Sequence, residues 1–154
     1  MKKNKIVGIS NHRKKNRYKY LLLENGFSKK DLHVGCKVLK SGYITMNAET
    51  RKFEEAFAKK LKVKYAVMVN SGSSANLLST FAACSPMRKN RFKRGDEVII
   101  PTLCWPTSLW PLHQAGLKIK FIDVDPSTLN VDADNLISKI NKRTKVITLV
   151  NILG

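Results

Sequence analysis

Residues 65–84 read "YAVMVNSGSSANLLSTFAAC", and this stretch decides the fold class. Its first half alternates in the manner of a strand, and its second half is apolar at helical spacing. Between them stand Asn70, Ser71, Gly72, Ser73 and Ser74, small residues at the point where a strand turns into a helix. A helix N-terminus has unpaired N–H groups and a partial positive charge, so it attracts anions. Gly72 lets a ligand approach the backbone closely, and Ser73 and Ser74 add hydroxyl donors at the same place. The competing reading is that one serine simply caps the helix. Composition leaves both open.

The pattern continues outward from that stretch. Upstream, "ETRKFEEAFAKKLKV" (49–63) sets Phe53, Phe57 and Leu61 at steps of four, with Glu and Lys opposite: an amphipathic helix. "KYAVMV" (64–69) then reads as a strand. Downstream, "MRKNRFKRGDE" (87–97) is a charged connection turning at Gly95-Asp96, and "EVII" (97–100) is a strand ended by Pro101. "PTSLWPLHQAG" (106–116) predicts a helix with Pro106 at its first position and Gly116 as its stop. Pro111 lies inside it and predicts a kink or a late start. "KIKFIDV" (118–124) is the next strand, followed by a "DPST" turn. "DADNLISKI" (132–140) is a short helix entered through Asp132 or Asp134, and "KVITLV" (145–150) is a further strand. Strands alternating with helices of this length predict an α/β fold with a parallel sheet. The chain stops at "LVNILG", on the carboxyl edge where such sheets bind ligands, so a truncated domain is expected.

That edge collects the candidate residues. "PTLCWPTS" (101–108) follows a strand, and Trp105 there is placed to lie flat over a planar ligand or else to pack into the core. One loop suited to a phosphate beside one suited to a ring points to a phosphorylated aromatic cofactor. Asp123 and Asp125 also follow a strand, but turn and cap roles account for them equally well. No GxxxxGK[ST], GxGxxG or GxSxG pattern is present.

Composition narrows the classes. The 154 residues carry 29 basic against 11 acidic side chains, a net charge of +18, with an ordinary apolar fraction of 43%. Much of the excess lies in "MKKNKIVGISNHRKKNRYKY", which has no acid and reads as a solvated leader. Nucleic-acid contact is the alternative, but aromatic interleaving is thin and no zinc or RNA-recognition motif accompanies it. The division expected is a basic segment over 1–48, of weak periodicity, and a single α/β unit over 49–154. No apolar run fits a secretory signal or a membrane span, so the chain reads as cytoplasmic. Cys36, Cys84 and Cys104 have no CxxC spacing and read as free, mostly buried thiols. His12, His33 and His113 are too scattered to suggest a metal site.

Three blocks together resemble a known family: "GYITMNAETRKFEEAFAKKLKVKYAVMVNSGSSANLL", "GDEVIIPTLCWPTSLWPLHQAGLKIKFIDVDPSTLNVDADNL" and "VITLVNILG". Their order and spacing are similar to those of the DegT/StrS-type pyridoxal-phosphate enzymes of nucleotide-sugar metabolism. The resemblance implies the N-terminal part of an aspartate-aminotransferase-like large domain. It implies that Gly72, Ser73 and Ser74 hold the phosphate of pyridoxal 5′-phosphate (or pyridoxamine 5′-phosphate) and that Trp105 stacks on its ring. "NSGSSANLL" and "VNILG" look closest to the 4-keto-6-deoxy-sugar 3-dehydratases, with the sugar aminotransferases as the alternative. A nucleotide-linked keto-sugar substrate and a homodimer of the full-length protein are implied as well. Asn47 departs from the glycine common in the family. The family's aspartate for the pyridinium nitrogen, its Schiff-base lysine or the histidine replacing it, and its small C-terminal domain have no counterpart here. The resemblance therefore implies that this chain alone is inactive.

Overall fold

In the computed structural model, residues 26–46 and 48–152 are described; the basic leader, Asn47 and the last two residues lie outside them. The elements in chain order are α1 (Lys29–Ser41), α2 (Ala48–Leu61), α3 (Gly72–Cys84), β1 (Glu97–Pro101), α4 (Pro106–Gln114), β2 (Lys118–Ile122), α5 (Ala133–Lys139) and β3 (Thr144–Ile147). The three strands form a parallel sheet in the order β2-β1-β3. β1 is central, and Val98, Ile99 and Ile100 are fully buried. Removing each such side chain from water contributes about 1.5–3 kcal/mol. On one face Val98 and Ile100 meet Leu112 of α4 and Leu117 before β2, with Phe92, Cys104 and Val146 around them. The connection from β1 leads to one side and β3 returns to the other. The sheet therefore changes direction at β1, and a crevice opens at its carboxyl end.

Local chemistry explains the helix boundaries. Asp132 caps α5, its Oδ1 accepting from the N–H of Asp134 (2.8 Å) and of Asn135 (3.3 Å). That resolves the choice between Asp132 and Asp134. α4 starts at Pro106, without a late start, and runs through Pro111. Gly116 follows it at φ +77°, and a Cβ there would stand 2.8 Å from Arg94 Cγ, so backbone and space both require glycine. α2 ends with Lys62 in the left-handed region at φ 55°. The N–H of Lys62 bonds to Lys59 O and that of Val63 to Ala58 O, which satisfies the last turn.

Three expectations need correction. Residues 65–69 belong to no strand, because no neighbouring strand offers a ladder among the described residues. Their one long-range backbone bond goes from Met68 N–H to Glu54 Oε1 at 2.7 Å. Within the segment of weak periodicity, residues 29–41 form α1, capped by reciprocal bonds between Ser28 and Asp31 and ended by Gly42 at φ 74°. α1 buries no residue, yet Leu32, Cys36 and Leu39 recur along it at helical spacing, so the segment is more periodic than expected. Cys36 on α1 is exposed rather than buried, whereas Cys84 and Cys104 are half-buried; all three are free. Burial pushes the Cys104 thiol up from its ordinary value.

Candidate functional site

The serine run divides its labour. Ser71 is the N-cap of α3: its Oγ accepts from Ser74 N–H at 3.1 Å and donates to Ser74 Oγ at 3.1 Å. Capping and anion binding are thus compatible, because capping consumes the N–H of Ser74 and leaves those of Gly72 and Ser73. Neither of these, nor the Ser73 hydroxyl, has a partner among the described residues. No acidic residue occupies the first turn of α3 or of α4, so nothing there opposes an anion.

The loop leaving β1 carries the second candidate. Trp105 is the N-cap residue of α4, and its side chain makes no capping bond. It is 71% exposed, so of its two expected fates packing into the core is ruled out. α3 and α4 meet at their N-terminal turns, where the Asn76 amide donates to Thr107 O at 3.4 Å. Ser73, Ser74, Thr107, Trp110 and Gln114 line one crevice between them. Of the four residues expected at the site, Ser73 and Ser74 line this crevice, while Gly72 and Trp105 are not among its lining. Thr107 and Trp110 were not singled out from the sequence. The available signal was Thr107's place at the second position of a helix entered directly from β1.

No titratable side chain lines that crevice. Asp123, just past β2, is exposed. Asp125 serves the turn: its Oδ1 accepts from Ser127 N–H and Oγ, both at 2.7 Å, and those bonds hold its carboxyl below the ordinary range. The largest cleft in the molecule is a different one. It is apolar, lined by Ile44, Met46, Met68, Leu77, Leu78 and Phe81 among others, and only Asn70 and Ser74 connect it to the serine turn. Its lining suits packing better than chemistry. Among the described residues, no cluster of His, Cys, Asp or Glu is placed to hold a metal ion, and no helix is long and apolar enough to cross a membrane.

The model of the DegT/DnrJ/EryC1/StrS aminotransferase family matches residues 28–154. A GDP-4-keto-6-deoxy-D-mannose 3-dehydratase of Yersinia pseudotuberculosis is 44% identical over 133 residues, covering 86% of this chain and 34% of that protein. A GDP-perosamine synthase of Vibrio cholerae is 33% identical over 115 residues, 74% of this chain and 29% of that protein. The solved structure of the Escherichia coli GDP-4-keto-6-deoxy-D-mannose 3-dehydratase with bound hydrated pyridoxal phosphate superposes with a TM-score of 0.80. Its identity is 42%, over 88% of this chain and 34% of that one. The chain thus spans about a third of the length of the relatives it matches. Its parallel sheet with flanking helices is the aminotransferase-like fold of those enzymes. By sequence over nearly its whole described length and by fold, the chain belongs to the DegT/DnrJ/EryC1/StrS aminotransferase family.

Proposed function

We propose that the crevice between α3 and α4 is the site of pyridoxal 5′-phosphate or pyridoxamine 5′-phosphate. The N–H groups of Gly72 and Ser73 and the hydroxyls of Ser73 and Ser74 take the phosphate, and the Trp105 indole lies against the ring. The observation that carries this reading is the approach of the amino-terminal parts of α3 and α4 beside that crevice, one with uncommitted donors and the other preceded by an exposed indole. The residues fit the group. A Cβ at Gly72 would meet nothing within 4 Å, and its backbone is ordinary helix, so neither strain nor internal packing demands glycine there. What glycine provides is an unobstructed approach to the first-turn N–H groups.

The whole protein is then a 3-dehydratase acting on a nucleotide-linked 4-keto-6-deoxyhexose. The 44% identity to a relative so named, against 33% to the perosamine synthase, supports dehydration over amination. Bound there, the cofactor supplies an electron sink for charge developing on the sugar. This chain's share is binding and orientation, since no acid or base lines its crevice. A cytoplasmic location and a homodimer belong to the same proposal. The exposed apolar side chains of α2 and α3, Phe53, Phe57, Leu77 and Phe81, support the dimer. The second reading, a sugar aminotransferase, is favoured by the match to the perosamine synthase.

Titration with pyridoxal phosphate tests the site. Ser73→Ala should weaken binding by about 1.5–3 kcal/mol, the worth of a hydrogen bond to a charged group. Trp105→Ala should weaken it by about 0.5–1.5 kcal/mol, through lost stacking. Unchanged affinity in both variants would place the cofactor elsewhere. For the reaction, the full-length protein is given glutamate and a GDP-linked 4-keto-6-deoxyhexose. Loss of the C3 hydroxyl identifies the dehydratase, and an amine appearing on the sugar identifies the aminotransferase.

A further inference from the structure

Pro111 creates a defect in α4. It has no N–H, so the carbonyl four residues back, that of Thr107, loses its helical donor. The Asn76 side-chain amide, one turn into α3, donates to that carbonyl at 3.4 Å. The acceptor lies in the first turn of α4, two residues after Trp105, and the donor lies four residues after Gly72. α3 and α4 pack against each other through their apolar side chains, but apolar contact is non-directional and does not fix how one helix slides along the other. A hydrogen bond with one donor and one acceptor does fix it.

We propose that Asn76 is a positioning residue. By filling the acceptor that Pro111 leaves open, it sets the spacing between the serine turn and Trp105, and so between the phosphate and the ring of the cofactor. The proposal rests on the cofactor site described above. It gives Pro111 a role as well: with no N–H at 111 to compete, the Thr107 oxygen is fully available to α3. Asn76 itself lines a different hollow from that of Ser73, Thr107 and Trp110, so it acts through Thr107 and does not touch the cofactor.

The pairing of a missing donor with a supplied one makes the inference separable from general stability. Asn76→Leu keeps the approximate shape, favours helix and adds no charge that would itself disturb an anion. Pro111→Ala gives α4 its own N–H for Thr107 O. The four proteins of this cycle (unaltered, each single variant, and the double) are compared by pyridoxal phosphate affinity and by the induced circular dichroism of the bound cofactor. Amide hydrogen exchange across 107–111 is measured without cofactor. Asn76→Leu in the unaltered background should weaken binding about threefold to tenfold, the range for one neutral hydrogen bond, and alter the dichroism. It should also quicken exchange. In the Pro111→Ala background, where the N–H at 111 shares the Thr107 oxygen, the same substitution should have a smaller effect on both affinity and exchange. Equal effects in both backgrounds, or none in either, overturn the positioning role. If Ser73→Ala and Trp105→Ala weaken binding while Asn76→Leu does not, this inference alone falls. Absence of any pyridoxal phosphate binding removes the cofactor site, and the inference with it.

Discussion

Two stretches with nearly the same apolar pattern meet opposite fates in this molecule. "EVII" at 97–100 becomes the central strand of the sheet, and its Val98, Ile99 and Ile100 are fully buried. "YAVMV" at 65–69 is as apolar, yet Tyr65 is 74% and Val67 72% exposed, and no ladder forms. The difference lies in the neighbours. β1 has β2 on one side and β3 on the other, each delivered by a helical crossover, and α4 folds back across one face. Residues 65–69 have α2 before them and α3 after, and only the Glu54 carboxylate satisfies one of their N–H groups. A strand is therefore a property of a pair of segments. The sequence of one segment supplies a willing backbone and apolar side chains, and the partner decides whether they are used.

The sharpest way to break this comparison is to truncate matching side chains in the two stretches. Ile100→Ala removes a fully buried side chain from the cluster with Val98, Leu112 and Leu117, and should cost about 2–5 kcal/mol. Val67→Ala should stay within about 0.5 kcal/mol, as substitutions at exposed positions do. Urea denaturation of the 154-residue chain measures both. Similar losses in the two variants would mean that 65–69 is packed in solution.

A pair of glycines sharpens the same contrast with a smaller effect. Gly116→Ala, at φ +77° and against Arg94, should destabilise by about 1–2 kcal/mol through the left-handed penalty alone. Gly72→Ala should leave the urea midpoint essentially unchanged, because its backbone is helical and its surroundings are open. It should instead weaken pyridoxal phosphate binding. A stability loss at Gly72 equal to that at Gly116 would make it a packing glycine and remove one support of the cofactor site.

What the sequence disclosed follows the same division. The crossovers between β1, β2 and β3 were legible because each strand and helix is bounded by local chemistry: Gly95, Pro101, Pro106, Gly116 and Asp132. The serine turn was legible as a helix start, and its capping use is seen at Ser71. The lone strand at 64–69 was misread because a ladder partner leaves no trace in the segment itself. α1 was missed for a different reason. Its signs are short and local, the Ser28–Asp31 capping box, Leu32, Cys36 and Leu39 at helical spacing and the Gly42 stop, and the unpatterned basic run ahead of it dilutes them. The link from Asn76 to Thr107 was hidden because it joins residues 31 apart, and only the packing of α3 on α4 brings them together. The consequence of Pro111 for Thr107 was nonetheless readable from the helix rule alone.

The smallest expected effect concerns acid, and it contrasts a carboxylate held by distant residues with one held by its neighbours. Glu97, at the amino end of β1, is pushed up by burial. Hydrogen bonds from Asn141 (2.7 Å) and Thr144 (3.0 Å) outweigh that, and with the Lys120 and Arg143 charges they hold it below the ordinary glutamate range. Those partners belong to the middle of β2, to the start of β3 and to the turn before β3, so the carboxylate ties all three strands together. Asp31 is also lowered, first by the Ser28 hydroxyl, but its bonds stay within one helix turn. A carboxyl whose folded value lies below its unfolded one, about 4.3 for glutamate, binds fewer protons when folded. Its stabilisation is present above that value and is lost as pH falls through the folded one. The urea midpoint of the unaltered chain should therefore drop below about pH 4.3, and Glu97→Gln should both lower it at neutral pH and flatten that acid limb. Asp31→Asn should mainly reduce helical circular dichroism and leave the sheet's unfolding where it was. An acid limb unchanged by Glu97→Gln, or flattened equally by Asp31→Asn, would show that the ties among the strands are no stronger than a helix cap, and would remove the distinction between the two carboxylates.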